Sequence, residues 1–498
     1  MKFDHDLQRH FQFALDLLIA RRTVTPMLIV LLLVVLTLGC KPTLPDADGE
    51  ENTKVVAAPD PMSVLIIDNQ KLGDDIVRYW AAERDGEVNV IHRELQEWED
   101  QSFKIDADVD LVIFPPLYLG ELAERELVKK LNYEQWNYDE VNKSSIMTHY
   151  RERIVRYRSE PYGLPLGNPH LAMFYNRSAI ELDSNVVMTW DRLERQLKSE
   201  NAVQTWQSMG NDTNPRLDMP LGENWAGRTL LARVAPGVMT RGSFSTLFDP
   251  NDLSPMVDSK PFVDGLEQLK RISTKRSLDS TAEDVFQVLI NGESIGGLCY
   301  PSSGFSKTAE TTNPEAARQL IVTTPPGSEL VFDQRTSEWK ERFDSSQIEV
   351  DYFGFEGMMV SMASSSRYPG TALELMIWLA DRRTSTKLLS EYKTVGPFRA
   401  SHLGDITRWT GEQMSLDLGD DYSQLIETIH RRSLVMTFPR IPGASKYLDV
   451  LDRGVRAYLK DGGDAQATLT QVAKQWDEIT DELGRKKQVK ALRNELGF

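Results

Sequence analysis

The sequence predicts an α/β fold built on a largely parallel sheet. Three observations carry this. SVLIID (63–68) is a short apolar run with β-branched residues, closed by Asp68 and Asn69, and reads as a buried first strand. GDDIVRYWAAERDG follows, with Ile76, Val77, Trp80 and Ala81 spaced for one helix face and a glycine at its end. EVNVIHREL and ADVDLVIFPP supply two more strands, and YLGELAERELVKKL places Leu119, Leu122, Ala123 and Leu127 on one face of a second helix. Strands joined by helical crossovers belong to a sheet whose neighbours run parallel.

In such sheets ligands bind beyond the carboxyl ends of the strands. Two of these ends, Asp68-Asn69-Gln70 and Phe114-Pro115-Pro116-Leu117-Tyr118, are polar or proline-rich. They are the first candidates for a binding cleft. Next comes PYGLPLGNPHLAMFYN (161–176), in which Gly163, Pro165, Gly167 and Pro169 interrupt two apolar runs. The first run closes one unit and LAMFYN opens another, so the segment suits a hinge between lobes. A plain turn inside one domain is the alternative.

Downstream, TWDRLERQLKSE, the end of PLGENWAGRTLLARVAPGV, FVDGLEQLKRI and TAEDVFQVLIN read as helices. SIGGLCYP and RQLIVTTPP read as short strands, and DYFGFEGMMVSMAS as a strand pair or a broken strand. YPGTALELMIWLADRRTS is a strong helix, and the last 60 or so residues are mostly helical. No internal repeat is visible.

The length suits two or three compact units, and the composition is that of an ordinary globular protein: 41% hydrophobic, 26% charged and 9% aromatic. The net charge of −17, from 57 basic and 74 acidic residues, argues against nucleic acid as a partner, because phosphates are repelled. Cys40 and Cys299 are the only cysteines, so no disulfide framework and no cysteine-based metal site is expected. Cys299, in GGLCYP, reads as a small buried hydrophobe.

The amino terminus has the parts of a secretory signal: Arg21-Arg22, an apolar run over 27–36, then Thr37-Leu38-Gly39-Cys40. That run falls short of the ~20 residues a comfortable transmembrane helix needs. Cysteine after glycine at its end resembles a bacterial lipobox, in which the thiol is lipidated and the chain is cut before it. The expectation is a signal peptide over 1–39, lipidation at Cys40 and a tether over 40–60. An uncleaved signal anchor is the alternative. The tether reading rests on KPTLPDADGEENTKVVAAPD, which has prolines and acids but no apolar periodicity.

Signals for catalysis are weak. GESIG (292–296) matches the G-x-S-x-G pattern, but that elbow needs a strand before the serine and a helix after it. Here a helix precedes and a strand follows, so a helix-to-strand turn is expected. The seven histidines form no H-E-x-x-H, and no nucleotide-binding glycine motif is present. No metal and no cofactor are expected. A set of rings remains on Gly/Pro loops: Tyr118, Trp225, Tyr300, Phe305 and Phe355. With Asn, Asp, Glu and Ser nearby, such rings suit stacking on sugar faces.

Four stretches, in order, resemble the family 1 extracellular solute-binding proteins of ABC importers, the group that includes maltose-binding protein. They are DVDLVIFPPLYLGELAERELVKKL, EPYGLPLGNPHLAMFYNRSAIE with TWDRLERQL, DVFQVLINGESIGGLCYPSSGF, and FPRIPGASKYLDVLDRGVRAYL. The resemblance spans about residues 60–480. It implies a type II periplasmic-binding-protein fold, with two lobes that each have a mixed sheet flanked by helices, and a ligand cleft between them. Lobe 1 would take 61–166 with 327–391, and lobe 2 would take 167–326 with 392–495.

Carried onto this chain, the cleft residues would be Asn69, Pro116, Tyr118, Asn168, His170, Glu223, Trp225, Tyr300, Ser302, Phe355, Glu356 and Tyr447. IFPP and CYPSS depart from the maltose-binding pattern, so the resemblance implies a polar ligand, most readily a sugar or oligosaccharide, rather than maltodextrin in particular. It further implies a monomeric, non-enzymatic capture protein that serves ABC permease subunits. The protein would be lipid-anchored on the periplasmic or outer face of a bacterial membrane. A glycosidase using cleft carboxylates such as Glu223 or Glu356, and a sensor or structural lipoprotein on the same fold, are the alternatives.

Overall fold

In the computed structural model, residues 61–497 are described, apart from 85, 184, 244, 302–312, 345–347, 391–395 and 412–413. The signal peptide, Cys40, the tether, Ser302 and Phe305 lie outside the described residues. No described helix is long and apolar enough to cross a membrane.

Strand β1 (Met62–Ile67) is buried along its whole length. It runs parallel to β2 (Val88–Arg93) on one side and β3 (Leu111–Phe114) on the other, with Val64 opposite both Val90 and Leu111. A strand covered on both faces must be continuously apolar, which is why SVLII shows no alternation. Between β1 and β2 lies α1 (Gln70–Glu83), capped by the Asn69 side chain, which accepts from the Leu72 amide at 3.1 Å. Ile76 and Trp80 are buried in it, but Val77 and Ala81 face solvent, so its apolar face is narrower than the sequence predicts. After β2 the chain forms a short helix, α2 (Leu95–Asp100), where the sequence shows only a polar stretch; Trp98 anchors it. Helix α3 (Leu119–Glu124) is shorter than expected: Glu126 adopts φ 56°, and Leu127 lies beyond the helix.

The chain reaches the sheet edge at β4 (Gly163–Gly167) and leaves at once for β5 (Ala172–Asn176), the centre of a second sheet. Helices α4 (Ala226–Val238), α5 (Lys260–Ile272) and α6 (Ala282–Ile290) precede β6 (Gly296–Cys299). The second sheet has the order β6-β5-β7 and is antiparallel throughout, with β7 at Leu320–Thr323. A hairpin not foreseen in the sequence follows, β8 (Leu330–Asp333) and β9 (Glu338–Glu341), with Phe332 opposite Trp339.

Next, β10 (Asp351–Tyr352) leads to β11 (Met358–Met362), which returns to the first sheet. That sheet has the order β2-β1-β3-β11-β4, and β11 is antiparallel to both its neighbours, so the sheet is mixed. The strong helix of the sequence is split at Asp381 into α7 (Pro369–Ala380) and α8 (Arg382–Leu389), because the Asp381 carboxylate accepts from the Thr384 amide at 2.8 Å and starts a new helix. Helix α9 (Leu416–Arg431) packs on β7, β12 (Val435–Met436) pairs with β10, and three helices close the chain: α10 (Ala444–Asp461), α11 (Ala465–Leu483) and α12 (Arg485–Leu496).

The two sheets belong to two lobes, and the segments crossing between them meet backbone to backbone. Gly167, at φ 121°, Gly357 and Gly396 make this possible. A methyl group on Gly357 would sit 1.8 Å from the Gly167 carbonyl oxygen, and one on Gly396 would sit 2.3 Å from the Asn168 carbonyl oxygen. These neighbours are backbone atoms and have nowhere to move. Gly357→Ala is therefore expected to lower unfolding stability by about 2–4 kcal/mol in urea titration. A loss below about 0.5 kcal/mol would show that the crossing segments are not packed this way.

Candidate ligand cleft

The amino-terminal end of α4 is fixed first. The buried Asp452 carboxylate on α10 accepts from the amides of Asn224 (3.1 Å) and Gly227 (3.0 Å), placing negative charge at a helix N-terminus. Asn224 adopts φ 67° to make the turn. This holds Trp225 and Arg228 in place. Arg228 Nε lies 3.1 Å from Glu356 Oε1, on the segment between β10 and β11. The ion pair joins a helix beside the second sheet to the strand that crosses back to the first. Burial pushes the Glu356 carboxyl up from its ordinary value; the Arg228 guanidinium opposes this, and the Glu283 charge adds to it.

Tyr300 follows β6 directly. Its hydroxyl donates to Glu283 Oε1 at 2.6 Å, and burial with the Glu283 charge holds its phenol well above the ordinary value. Its ring lies 5.8 Å from Trp225 and 6.5 Å from Trp409, which stacks on Tyr422 at 6.1 Å. Half-buried Trp225 is the outer ring of this ladder.

From the first sheet, Pro116 and Tyr118 form a buried turn after β3. The Tyr118 hydroxyl donates to Glu99 Oε1 at 2.8 Å, its ring packs on Trp98 and Phe103 at 5.8 Å each, and it also senses Ser445 and Arg228. Asp449, raised by burial and the Glu99 charge, feels Arg228 as well. Tyr118, Trp225, Arg228, Tyr300 and Glu356, with the carboxylates of Glu99, Glu283 and Asp449, thus form one polar and aromatic cluster where the lobes face each other.

Arg228, Glu283, Glu99 and Asp449 were not singled out in the sequence. Arg228 alone left a trace there, in the same Gly-rich stretch as Trp225 (GENWAGR).

Other expected residues are committed elsewhere. Asn69 caps α1. Asn168 is buried, and its side-chain oxygen accepts from the Gly357 amide at 2.7 Å, so it braces the crossing segments. His170 is buried against other histidines. Glu223 is exposed. Phe355 lies under Arg440, 5.2 Å from ring to guanidinium, and lines a separate cavity of about 810 Å³ with Arg156 and Glu495. Tyr447 lies in the helical core: its hydroxyl bonds Thr480 at 2.9 Å and its ring meets Phe248 and Trp476, so it is corrected from a cleft residue to a packing one. A cavity of about 690 Å³ under the β8–β9 hairpin is lined by Trp190, Arg233 and Trp339 and takes none of the cluster residues.

Two buried serines are held in structural hydrogen bonds and not set up as nucleophiles. Ser294 of GESIG is buried in a helix-to-strand turn, with its hydroxyl on the Gly296 carbonyl at 3.0 Å. Ser385 Oγ lies 3.0 Å from His402 Nε2, but His402 Nδ1 accepts from the Phe398 amide. The proton therefore sits on Nε2, which donates to the serine and does not act as its base. Among the described residues, no group of three or more His, Cys, Asp or Glu is arranged to hold a metal ion.

No protein-family model matches the chain, and no curated protein sequence does. Solved structures do match. The sugar-binding protein MalE from the phytopathogen Xanthomonas citri superposes with a TM-score of 0.61 at 13% identity, covering 85% of this chain and 98% of that one. A solute-binding protein of an ABC transporter from Agrobacterium radiobacter K84, in complex with ribitol, gives 0.60 at 13% identity over 84% and 99%. Maltose-bound MalE3 of T. maritima gives 0.59 at 13% identity over 84% and 99%. The mixed first sheet, the second sheet, which is antiparallel where a mixed one was expected, the crossing segments and these superpositions agree: the chain has the two-lobed fold of the type II periplasmic binding proteins.

Proposed function

We propose that this protein is an extracytoplasmic capture protein of an ABC import system, holding a sugar or polyol between its lobes and handing it to a membrane permease. The observation that carries the reading is the cluster at the lobe junction. Trp225 offers a ring face backed by Tyr300, and Arg228, Glu356 and Glu283 offer charged hydrogen-bonding groups to hydroxyls. Sugars are recognised by such a pairing of apolar faces and fixed polar groups. Similar structures with bound maltose and ribitol support the class of ligand. Capture needs no covalent step; closure around the ligand supplies the affinity. The lobes run over 61–166 with 327–391 and over 167–326 with 392–495, with the β8–β9 hairpin of the former packed against α4 of the second lobe. The protein acts as a monomer in the cell envelope, leashed to a membrane by a lipid on Cys40.

One observation favours a second reading. Glu356 and Glu283 sense each other's charge, and burial keeps Glu356 easier to protonate than a free carboxyl. A carboxyl kept protonated by burial, with a second carboxylate near it, suits the acid of a glycoside hydrolase. Release of reducing sugar from an oligosaccharide by the purified protein would decide for it.

A thermal-shift screen against sugars and polyols is expected to find ligands that raise the melting temperature, with about 2.7 kcal/mol of added stability at a hundred times Kd. A panel without any shift would overturn the capture reading. Trp225→Ala is expected to weaken the best ligand about tenfold or more by calorimetry, while Glu223→Ala, an exposed change, leaves the affinity within about twofold. Cys40→Ala is expected to move the protein from the membrane to the soluble fraction; full membrane retention would favour an uncleaved anchor.

A further inference from the structure

Three buried histidines meet at the joint between the lobes. His149 precedes the turn Tyr150–Ile154, His170 lies on the first crossing segment between β4 and β5, and His430 sits in the last turn of α9. The ring centroids of His149 and His170 each lie 5.0 Å from that of His430. Their hydrogen bonds fix every proton in turn. His430 Nδ1 accepts from the His149 amide at 3.2 Å, so the neutral ring carries its proton on Nε2. That Nε2 is 2.9 Å from His170 Nε2, which must then be the acceptor and be bare. The proton of His170 is left on Nδ1. His149 Nε2 donates to the Ile429 carbonyl at 2.9 Å. The arrangement works only with neutral rings, because an added proton on His430 meets an amide N–H and one on His170 Nε2 meets another N–H.

The surroundings offer a charge little help. Phe353 from the second crossing packs edge-on to His170 at 5.1 Å and contacts the other two rings, and Tyr150 stacks on His430 at 5.4 Å. Tyr422 of α9 donates to the His170 carbonyl at 2.7 Å. Arg153, on the same turn as His149, adds repulsion. Two carboxylates face the site from the second crossing. Glu356 is held by Arg228, and Asp351 by Arg432 at 2.6 Å, with Glu349 on the same guanidinium. Yet His170 Nδ1 and Asp351 Oδ1 are both buried without a hydrogen-bond partner, and both residues line one small cavity of about 10 Å³. Neutral His170 already carries its proton on this Nδ1; a second proton goes to Nε2, where it meets the N–H of His430.

We propose that the three-histidine relay is a pH-sensitive joint: neutral, it ties the turn at His149, on the first lobe, to α9 on the second and holds the lobes closed; protonated, it lets go and the lobes open. That opening also releases ligand rests on the capture reading above. The direction follows from burial, which pushes His149 down to about 4 and His170 to about 3, with His430 also well below the ordinary 6.5. Groups bound neutral in the closed state contribute fully above the ordinary value of about 6.5, and that contribution is lost as pH falls below it.

The experiment uses ligand-free protein. Small-angle scattering from pH 7.5 down to about 4.5 is expected to show expansion in a cooperative step, and proton NMR to show the three relay histidines neutral until that step. The double variant His149→Gln and His170→Gln keeps the donor to Ile429 and the acceptor for His430 but removes two titrating groups. Its expansion is expected at least about one pH unit lower. The proposal is overturned if the wild type keeps its radius throughout, if the variant expands at the same pH, or if a relay histidine titrates near 6.5 in the closed protein. Should the variant not fold, the NMR titration of the wild type decides alone. Acid expansion without any sugar affinity would support the joint and sink the capture reading; sugar affinity with a constant radius would do the reverse.

Discussion

The structure depends on a place where backbone touches backbone. At the junction of the crossing segments, Gly167, Gly357 and Gly396 bring carbonyls and amides within contact, and the Tyr150 hydroxyl donates to the carbonyls of both Asn168 (2.7 Å) and Pro397 (3.0 Å). Asn168 adds a third strand to this clamp through the Gly357 amide. Buried peptide groups must be satisfied, and here the side chains of Tyr150 and Asn168 do so for the crossing segments. Both walls of the cleft hang from this knot, so its geometry sets how Trp225 and Tyr300 face Tyr118 and Glu356.

The cleft itself is a balance of charge. Glu356 and Asp449 both feel one guanidinium, that of Arg228, in a place where burial raises both carboxyls. A pair such as Arg228–Glu356 gains little net energy when buried, because desolvation offsets attraction. Its value lies in position: it links α4, beside the second sheet, to the segment between β10 and β11. The phenols of Tyr118 and Tyr300 are already bonded to Glu99 and Glu283, which fixes their rings for stacking.

Much of the frame was readable in the chain. SVLII, LVIF and LAMFYN are unbroken apolar runs because their strands are buried on both faces, and Gly/Pro punctuation marked the first crossing. Tyr118, Trp225 and Tyr300 were legible as rings on Gly/Pro loops, and Glu356 was legible through the family resemblance. Arg228 and Glu283 were not, since helical residues of those types normally face water and only their partners in space give them a role. Tyr447 entered through the family resemblance alone, and the structure packs it among Phe248 and Trp476 in the helical core. The histidine relay was beyond reach, as His430 lies 281 residues from His149 and 260 from His170. Val77 and Ala81 show the limit of periodicity, which gives a face but not its width.

The β8–β9 hairpin bears on how the two lobes turn. It interrupts the second crossing, yet it is fastened to one side only: Arg342 donates to the Met239 carbonyl at 2.9 Å, Arg192 pairs with Glu329 at 2.6 Å, and Trp339 covers Gly237 on α4. It therefore travels with the second sheet. The two crossings thus differ in build: the first passes directly from Gly167 to Ala172, whereas the second carries a hairpin bound to one lobe before it meets Gly167 at Gly357.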